Sequence, residues 1–163
     1  MTQRERHHKA LVVFETQINA QIEALAETYA FLKGSFDLQG VSSIYLKYSD
    51  PSRGPSSSGI LVVAVILETK LSAKELLNEM SRFEATRPQQ IKISLVAYDD
   101  QTVLTAPLAL PHPELHVRPH WLIPCAEIWG EYPHPILGRP LQELAGAEDW
   151  GHWGQFYSQG LML

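Results

Sequence analysis

The sequence predicts an α+β fold built on a ferredoxin-like βαββαβ core. Three observations carry this: apolar runs with strand period that alternate with runs of helical period, a capping box that fixes the start of one helix, and a proline that separates that helix from the next strand. The chain has 163 residues, of which 45% are hydrophobic and 19% charged. That is the composition of one soluble domain spanning residues 1–163, large enough to hold a core without disulfides or structural metal.

The elements follow in order. Ala10 to Glu15 is a short β-rich run, and after it Ile18, Ile22, Leu25, Tyr29 and Leu32 recur at helical spacing up to Lys33, with Gly34 as the residue that closes the helix. Val41 to Tyr48 alternates, Ile44, Leu46 and Tyr48 on one face and Ser43, Tyr45 and Lys47 on the other, which predicts a second strand. Ser49 to Gly59 is a loop rich in Pro, Gly and Ser. Ile60 to Glu68 is apolar on both faces, the pattern of a central strand covered on both sides.

Ser72 and Glu75 then form a Ser-x-x-Glu capping box, with Leu71 and Leu76 at the two positions of a hydrophobic staple, so a helix begins at Ala73. Leu76, Leu77, Met80 and Phe83 line its inner face. Pro88 cannot continue the helix, and from Ile91 to Tyr98 a fourth strand alternates Ile91, Ile93, Leu95 and Ala97 with Lys92, Ser94, Val96 and Tyr98. From Gln101 onward the chain is rich in Pro, His and Trp, with short helices expected at His120–Ile128 and Pro140–Ala145, the latter with Pro at its first turn. This third reads as a lid over the sheet face that the two helices leave open, and the aromatic tail packs on the body or frays.

Charge and cysteine content narrow the function. The net charge of −5 gives no whole-protein field for nucleic acid or anionic lipid, so neither nucleic acid nor membrane is an expected partner. The longest apolar run, Ile60 to Leu67, is far short of the ~20 residues that cross a bilayer as a helix. The charged opening MTQRERHH leads into no secretory segment, and the single Cys125 fits a reducing compartment; the expected location is cytoplasmic.

The segment Leu110 to Leu144, with its Pro-His-Pro and His-x-Arg run, resembles the C-terminal part of the hydroxymethyldihydropterin pyrophosphokinases, which transfer pyrophosphate from ATP to a pterin alcohol. Val41 to Tyr45 resembles the strand before the family's first mobile loop, and Val65 to Phe83 resembles its second helix with the strand before it. The resemblance implies the same βαββαβ core. It also implies a site in which the fourth strand carries an Asp-x-Asp that holds Mg²⁺ on the triphosphate. Here the former metal positions are Lys92 and Ser94, an ammonium and one hydroxyl, which are poor company for a hard cation. The Asn that reads the pterin edge is matched by Val62, the stacking aromatic by His120, and the Gly-Ser-Asn after the first strand by Glu15, Thr16 and Gln17. The catalytic loop before the fourth strand is reduced to Arg87–Ile91.

His112 and Arg118 match positions that contact nucleotide phosphates in the family, and Glu68, Glu84 and Glu127 also match. A cleft that keeps cations and loses carboxylates is expected to bind an anion without metal through Lys92, His112 and Arg118, with His112 contributing more in mild acid. No residue is assigned a catalytic role and none a metal. His112, His116 and His120 fall four apart, yet Pro113 and Pro119 break the helix that would align them on a metal. The four tryptophans read as core and lid anchors, and Cys125 as a small buried hydrophobe.

Two functions follow. The first is a catalytically impaired member that serves as a binding or regulatory module for an anionic small molecule or a protein partner. The second is an active pyrophosphokinase or related ATP-dependent transferase with an atypical site, for which ATP and Mg²⁺ would be the cofactors.

Overall fold

The computed structural model describes residues 7–17 and 22–163. The Ile18 of the expected first helix and the charged opening before His7 lie outside the described residues. The elements are β1 (His8–Thr16), α1 (Ile22–Ser35), β2 (Asp37–Val41), β3 (Ile44–Tyr48), β4 (Gly59–Thr69), α2 (Ala73–Ala85), β5 (Ile91–Tyr98), β6 (Val103–Thr105), β7 (Leu108–Leu110), α3 (Pro119–Trp129), α4 (Leu141–Gly146) and β8 (Gly154–Ser158).

The main sheet runs β5-β1-β4-β3-β8 with every neighbouring pair antiparallel, and β2 also pairs with β4. The βαββαβ core is therefore present, with β4 at its centre as the doubly apolar run requires. The sheet is wider than four strands for two reasons. The run expected as one strand from Val41 to Tyr48 is split, β2 pairing with the Val65–Glu68 half of β4 and β3 with the Gly59–Val62 half. At the break, the buried Ser42 donates its backbone N–H to the Ala64 carbonyl, and its hydroxyl oxygen accepts from the Ala64 N–H at 2.9 Å. A side chain thus replaces one bond of the ladder, so the strand kinks without orphaning a buried donor.

The second addition is the tail, which forms β8 along β3. Gly160, just beyond it, lies so close to the Ser42 carbonyl that a Cβ there would fall 2.0 Å from the oxygen. Only glycine permits that approach.

The strand period sorts β1 between two cores. Ala10, Val12 and Phe14 join Leu25 and Leu32 of α1 and Leu76 and Met80 of α2 on one face. Leu11 and Val13 join Trp121, Leu122 and Cys125 of α3 and Leu141 and Leu144 of α4 on the other, so the C-terminal third covers the second face. Cys125 is fully buried there, and burial raises its thiol pKa.

Helix α2 starts at Ala73 with the full reciprocal capping box of Ser72 and Glu75. Three boundaries differ from expectation. Helix α1 runs through Gly34 to Ser35; Pro140 is the N-cap of α4 rather than its first helical residue; and α3 starts at Pro119, with Arg118 as its cap.

A register shift also alters β5. Leu11 pairs with Ala97 and Val12 with Leu95, so Val96 is an extra residue. Beyond this bulge Ala97 lies with Val96 on the lid face and Tyr98 turns to the helix face, the reverse of the simple alternation. The Val96 carbonyl accepts from the His112 N–H at 2.8 Å, which fixes the chain entering the lid.

Candidate functional site

One end of the sheet brings together the end of β1, the end of β3 and the starts of β4 and β5. Glu15, Gln17, Lys47, Tyr48, Gly59 and Lys92 line a cavity of about 340 Å³ there. Glu15 is the cross-strand partner of Val62 on one side and of Lys92 on the other, so the three share a rung on the lid side of the sheet. Lys47 reaches the same cavity from β3, where it pairs with Ile60.

Glu15 is only 7% exposed. Its Oε2 accepts from Trp121 Nε1 at 3.4 Å, a long bond. Burial raises the Glu15 pKa, and the Trp121 bond and the charges of Lys92, Lys47 and Arg118 oppose that rise. A buried carboxylate thus lies near three cationic side chains and, among the described residues, has one weak donor. Among the described residues, no ion pair within 4 Å joins it to either lysine.

Arg118 and His112, expected to act with Lys92, do not line this cavity and are held by other partners. The Arg118 guanidinium pairs with Glu114 and lies 4.5 Å over the Trp121 ring. His112 Nδ1 accepts from the Glu114 N–H at 3.1 Å, and its ring meets Trp121 edge-on at 4.7 Å. Burial first, then Arg118 and Lys92, lower the His112 pKa, while Glu114 opposes. The expectation that His112 charges in mild acid is corrected accordingly: its ring stays neutral to lower pH than a free imidazole. His120 is buried in α3, and burial, aided by Lys47 and Arg118, holds its pKa down at about 3.

Val62 is fully buried in the lid-side core, where it presents no polar atom. Ser94 lines a smaller cleft with His112. His116 packs edge-on against His134 at 5.7 Å. Among the described residues, no group of three or more His, Cys, Asp or Glu is placed to hold a metal. The donors at the rung, one buried carboxylate beside an ammonium, with the Ser94 hydroxyl two residues along, do not suit Mg²⁺, which needs several oxygens and no competing cation.

Two residues of the cavity carry no sequence signal of their role. Lys47 is the polar alternate at the end of its strand, but strand alternation alone does not say which polar face a lid covers. In the sequence Glu15 stands out as a lost glycine turn and an added negative charge, but not as a buried group. Glu127, by contrast, ties the lid to the sheet: its carboxylate accepts from the Ser43 N–H and hydroxyl, each at 2.7 Å, and from the Tyr45 hydroxyl. Burial and that carboxylate raise the Tyr45 pKa. Glu84 caps the outer edge of β5 by accepting from the Ile93 N–H at 3.1 Å.

The fold is of the α+β class, a ferredoxin-like sheet with helices on one face and a lid on the other. No family model matches the chain. The 2-amino-4-hydroxy-6-hydroxymethyldihydropteridine pyrophosphokinase of Synechocystis sp. is 29% identical over 106 residues, which cover 60% of this chain and 54% of that protein. The enzyme of the same name from Aquifex aeolicus is 35% identical over 79 residues, 47% of this chain and 49% of that protein. The chain spans about half the length of these curated relatives in each match. Among solved structures, Plasmodium falciparum HPPK-DHPS wild type with pterin and p-hydroxybenzoate superposes with a TM-score of 0.74 at 10% identity, covering 90% of this chain and 42% of that one. The same wild-type protein with pteroate gives 0.73 at 12% identity, covering 90% and 43%. At these identities the structural likeness concerns the fold. With the sequence relatives, it makes the chain similar in fold, and over part of its sequence, to the hydroxymethyldihydropterin pyrophosphokinases.

Proposed function

We propose that this chain is a binding protein on the pyrophosphokinase fold, one that holds a phosphate- or carboxylate-bearing ligand without divalent metal and does not transfer pyrophosphate at a family-like rate. The observation that carries this is the rung Val62–Glu15–Lys92. The family's metal-binding carboxylate is matched by an ammonium and its pterin-reading amide by a buried valine. Phosphoryl transfer depends on neutralising the transferred group and positioning it, and metal ions supply much of both. Loss of that clamp removes many powers of ten in rate.

Lys92 and Lys47 instead offer two ammonium groups to the cavity, and two such charges bind a phosphate or carboxylate directly. Arg118 strengthens the local potential while stacked on Trp121. The expected outcome is no Mg²⁺-dependent AMP release from ATP and hydroxymethyldihydropterin, together with measurable heat on titrating pyrophosphate in chelator. Charge-assisted hydrogen bonds contribute roughly 1.5–3 kcal/mol each, so Lys92→Ala weakens pyrophosphate about tenfold or more. AMP release at ordinary turnover overturns the reading, as does silence in the calorimeter with every anion tried.

A further inference from the structure

We propose that the ligand of the Glu15 cavity carries two charges of opposite sign: an anionic group held by Lys47 and Lys92, and a cationic N–H donor, an ammonium or amidinium, held by the Glu15 carboxylate. This rests on the anion-binding reading above and adds the second half of the ligand.

The argument starts from what a buried carboxylate requires. An ionised group taken out of water is tolerated when donors or a counter-charge replace its hydration. Among the described residues Glu15 has neither in full, and Oε1 is not among the side-chain atoms sealed from solvent without a partner. Its Oε2 has a single long bond from Trp121, and among the described residues Oε1 has no hydrogen-bond donor. The missing partner is not supplied by the sheet: Val62, across one strand, is apolar, and Lys92, across the other, makes no ion pair with Glu15 within 4 Å. Glu15 lines the cavity, so a ligand there is within reach of its carboxylate.

The cavity also sets size and polarity. At about 340 Å³ it suits a molecule of modest size. Its charged lining is one carboxylate on β1 with one lysine on each flank, Lys47 from β3 and Lys92 from β5. A purely anionic ligand would satisfy the lysines and crowd a second negative charge against Glu15. A purely cationic ligand would meet two ammonium groups. A ligand with both charges satisfies all three side chains and leaves the buried carboxylate fully paired. The raised Glu15 pKa points the same way, since burial at this position disfavours the bare carboxylate and a donor would relieve it.

Calorimetric titration in chelator near neutral pH tests this with three probes of one carbon length: 3-aminopropylphosphonate, propylphosphonate and propylammonium. The expected result is that 3-aminopropylphosphonate binds the wild-type chain at least tenfold more tightly than propylphosphonate, while propylammonium gives no heat. Glu15→Gln keeps the shape and removes the charge, so it brings the two phosphonates within about threefold of each other; Lys92→Ala weakens both. Wild-type protein that binds propylphosphonate as tightly as 3-aminopropylphosphonate, or a Glu15→Gln variant that keeps the preference, overturns the two-charge ligand and leaves metal-free anion binding standing. Heat from a phosphonate with Glu15→Gln but not with wild type also overturns it, because Glu15 then occupies the anion's place itself. No heat from either phosphonate with either protein ends both readings together. The comparison of probes on wild-type protein stands even if Glu15→Gln does not fold.

Discussion

The two faces of the sheet share the same strands and bury different chemistry. The helix face is closed by α1 and α2 over Val12, Phe14 and Val65, and the polar group buried in α1, the Thr28 hydroxyl, is satisfied within the helix by donating to the Ala24 carbonyl at 2.8 Å. The lid face is closed by α3 and α4 over Leu11, Val13 and Val62, yet it also encloses Glu15, His120 and His134. Apolar burial contributes stability on both sides, roughly 25 cal/mol for each Å² removed from water. The lid face gives part of that up to keep titratable groups out of water, and its cost is pH-dependent. A face that keeps titratable groups beside a cavity in an otherwise apolar layer is where a ligand finds partners.

The sharpest way to break this contrast is to damage the helix face alone. Phe14→Ala leaves a cavity between β1 and the two helices and is expected to cost about 3–5 kcal/mol, read from urea unfolding. Phosphonate binding to the fraction that remains folded should stay within twofold, because Phe14 lies on the side of β1 away from Glu15 and Lys92. A comparable loss of affinity would show that the two faces are coupled.

Acid separates the faces without a mutation. His120 is neutral in the fold with a pKa of about 3, against about 6.5 in the unfolded chain, so its contribution is present above 6.5 and is lost as the pH falls toward 3. Between pH 7 and pH 5 that linkage removes roughly 2 kcal/mol of stability. His112 and His134, both shifted down, add to the loss. Glu15, shifted up, acts in the opposite sense: its burial is most costly when ionised, and stability is regained as the pH falls through its raised pKa. In His120→Gln the urea midpoint should therefore fall much less between pH 7 and pH 5 than in wild type. Equal slopes in the two proteins would remove His120 as the source.

The smallest effect sharpens the comparison from the helix side. Ser72→Ala removes the side chain that accepts from the Glu75 N–H at 3.2 Å and should cost about 1 kcal/mol in thermal or urea unfolding, with the phosphonate titration unchanged.

Much of this architecture could be read along the chain, and particular residues show why. Ser72 and Glu75 are three residues apart, and the box they form depends on that helix turn, so the start of α2 is fixed by local chemistry. The doubly apolar β4 could only be central, because neither of its faces tolerates water. The alternation of β1 and β5 assigns faces residue by residue until the bulge at Val96. These signals live within a few residues of one another, where spacing and side-chain type suffice.

What lay beyond the sequence was decided by pairing between distant segments. Ser42 breaks a strand because Ala64, twenty-two residues on, needs an acceptor at that level of the sheet. The tail becomes β8 because β3 has an open edge at which Gly154 and Gly160 allow close approach. Above all, Lys92 could be named from the sequence, but its meeting with Glu15 and Lys47 could not. That meeting depends on the register of three strands separated by long stretches of chain, and on a lid that buries the carboxylate against Trp121. Local spacing determines which elements form and which way they face; cross-strand register and the depth of burial, which set the charges of this cleft, exist only once the whole chain has folded.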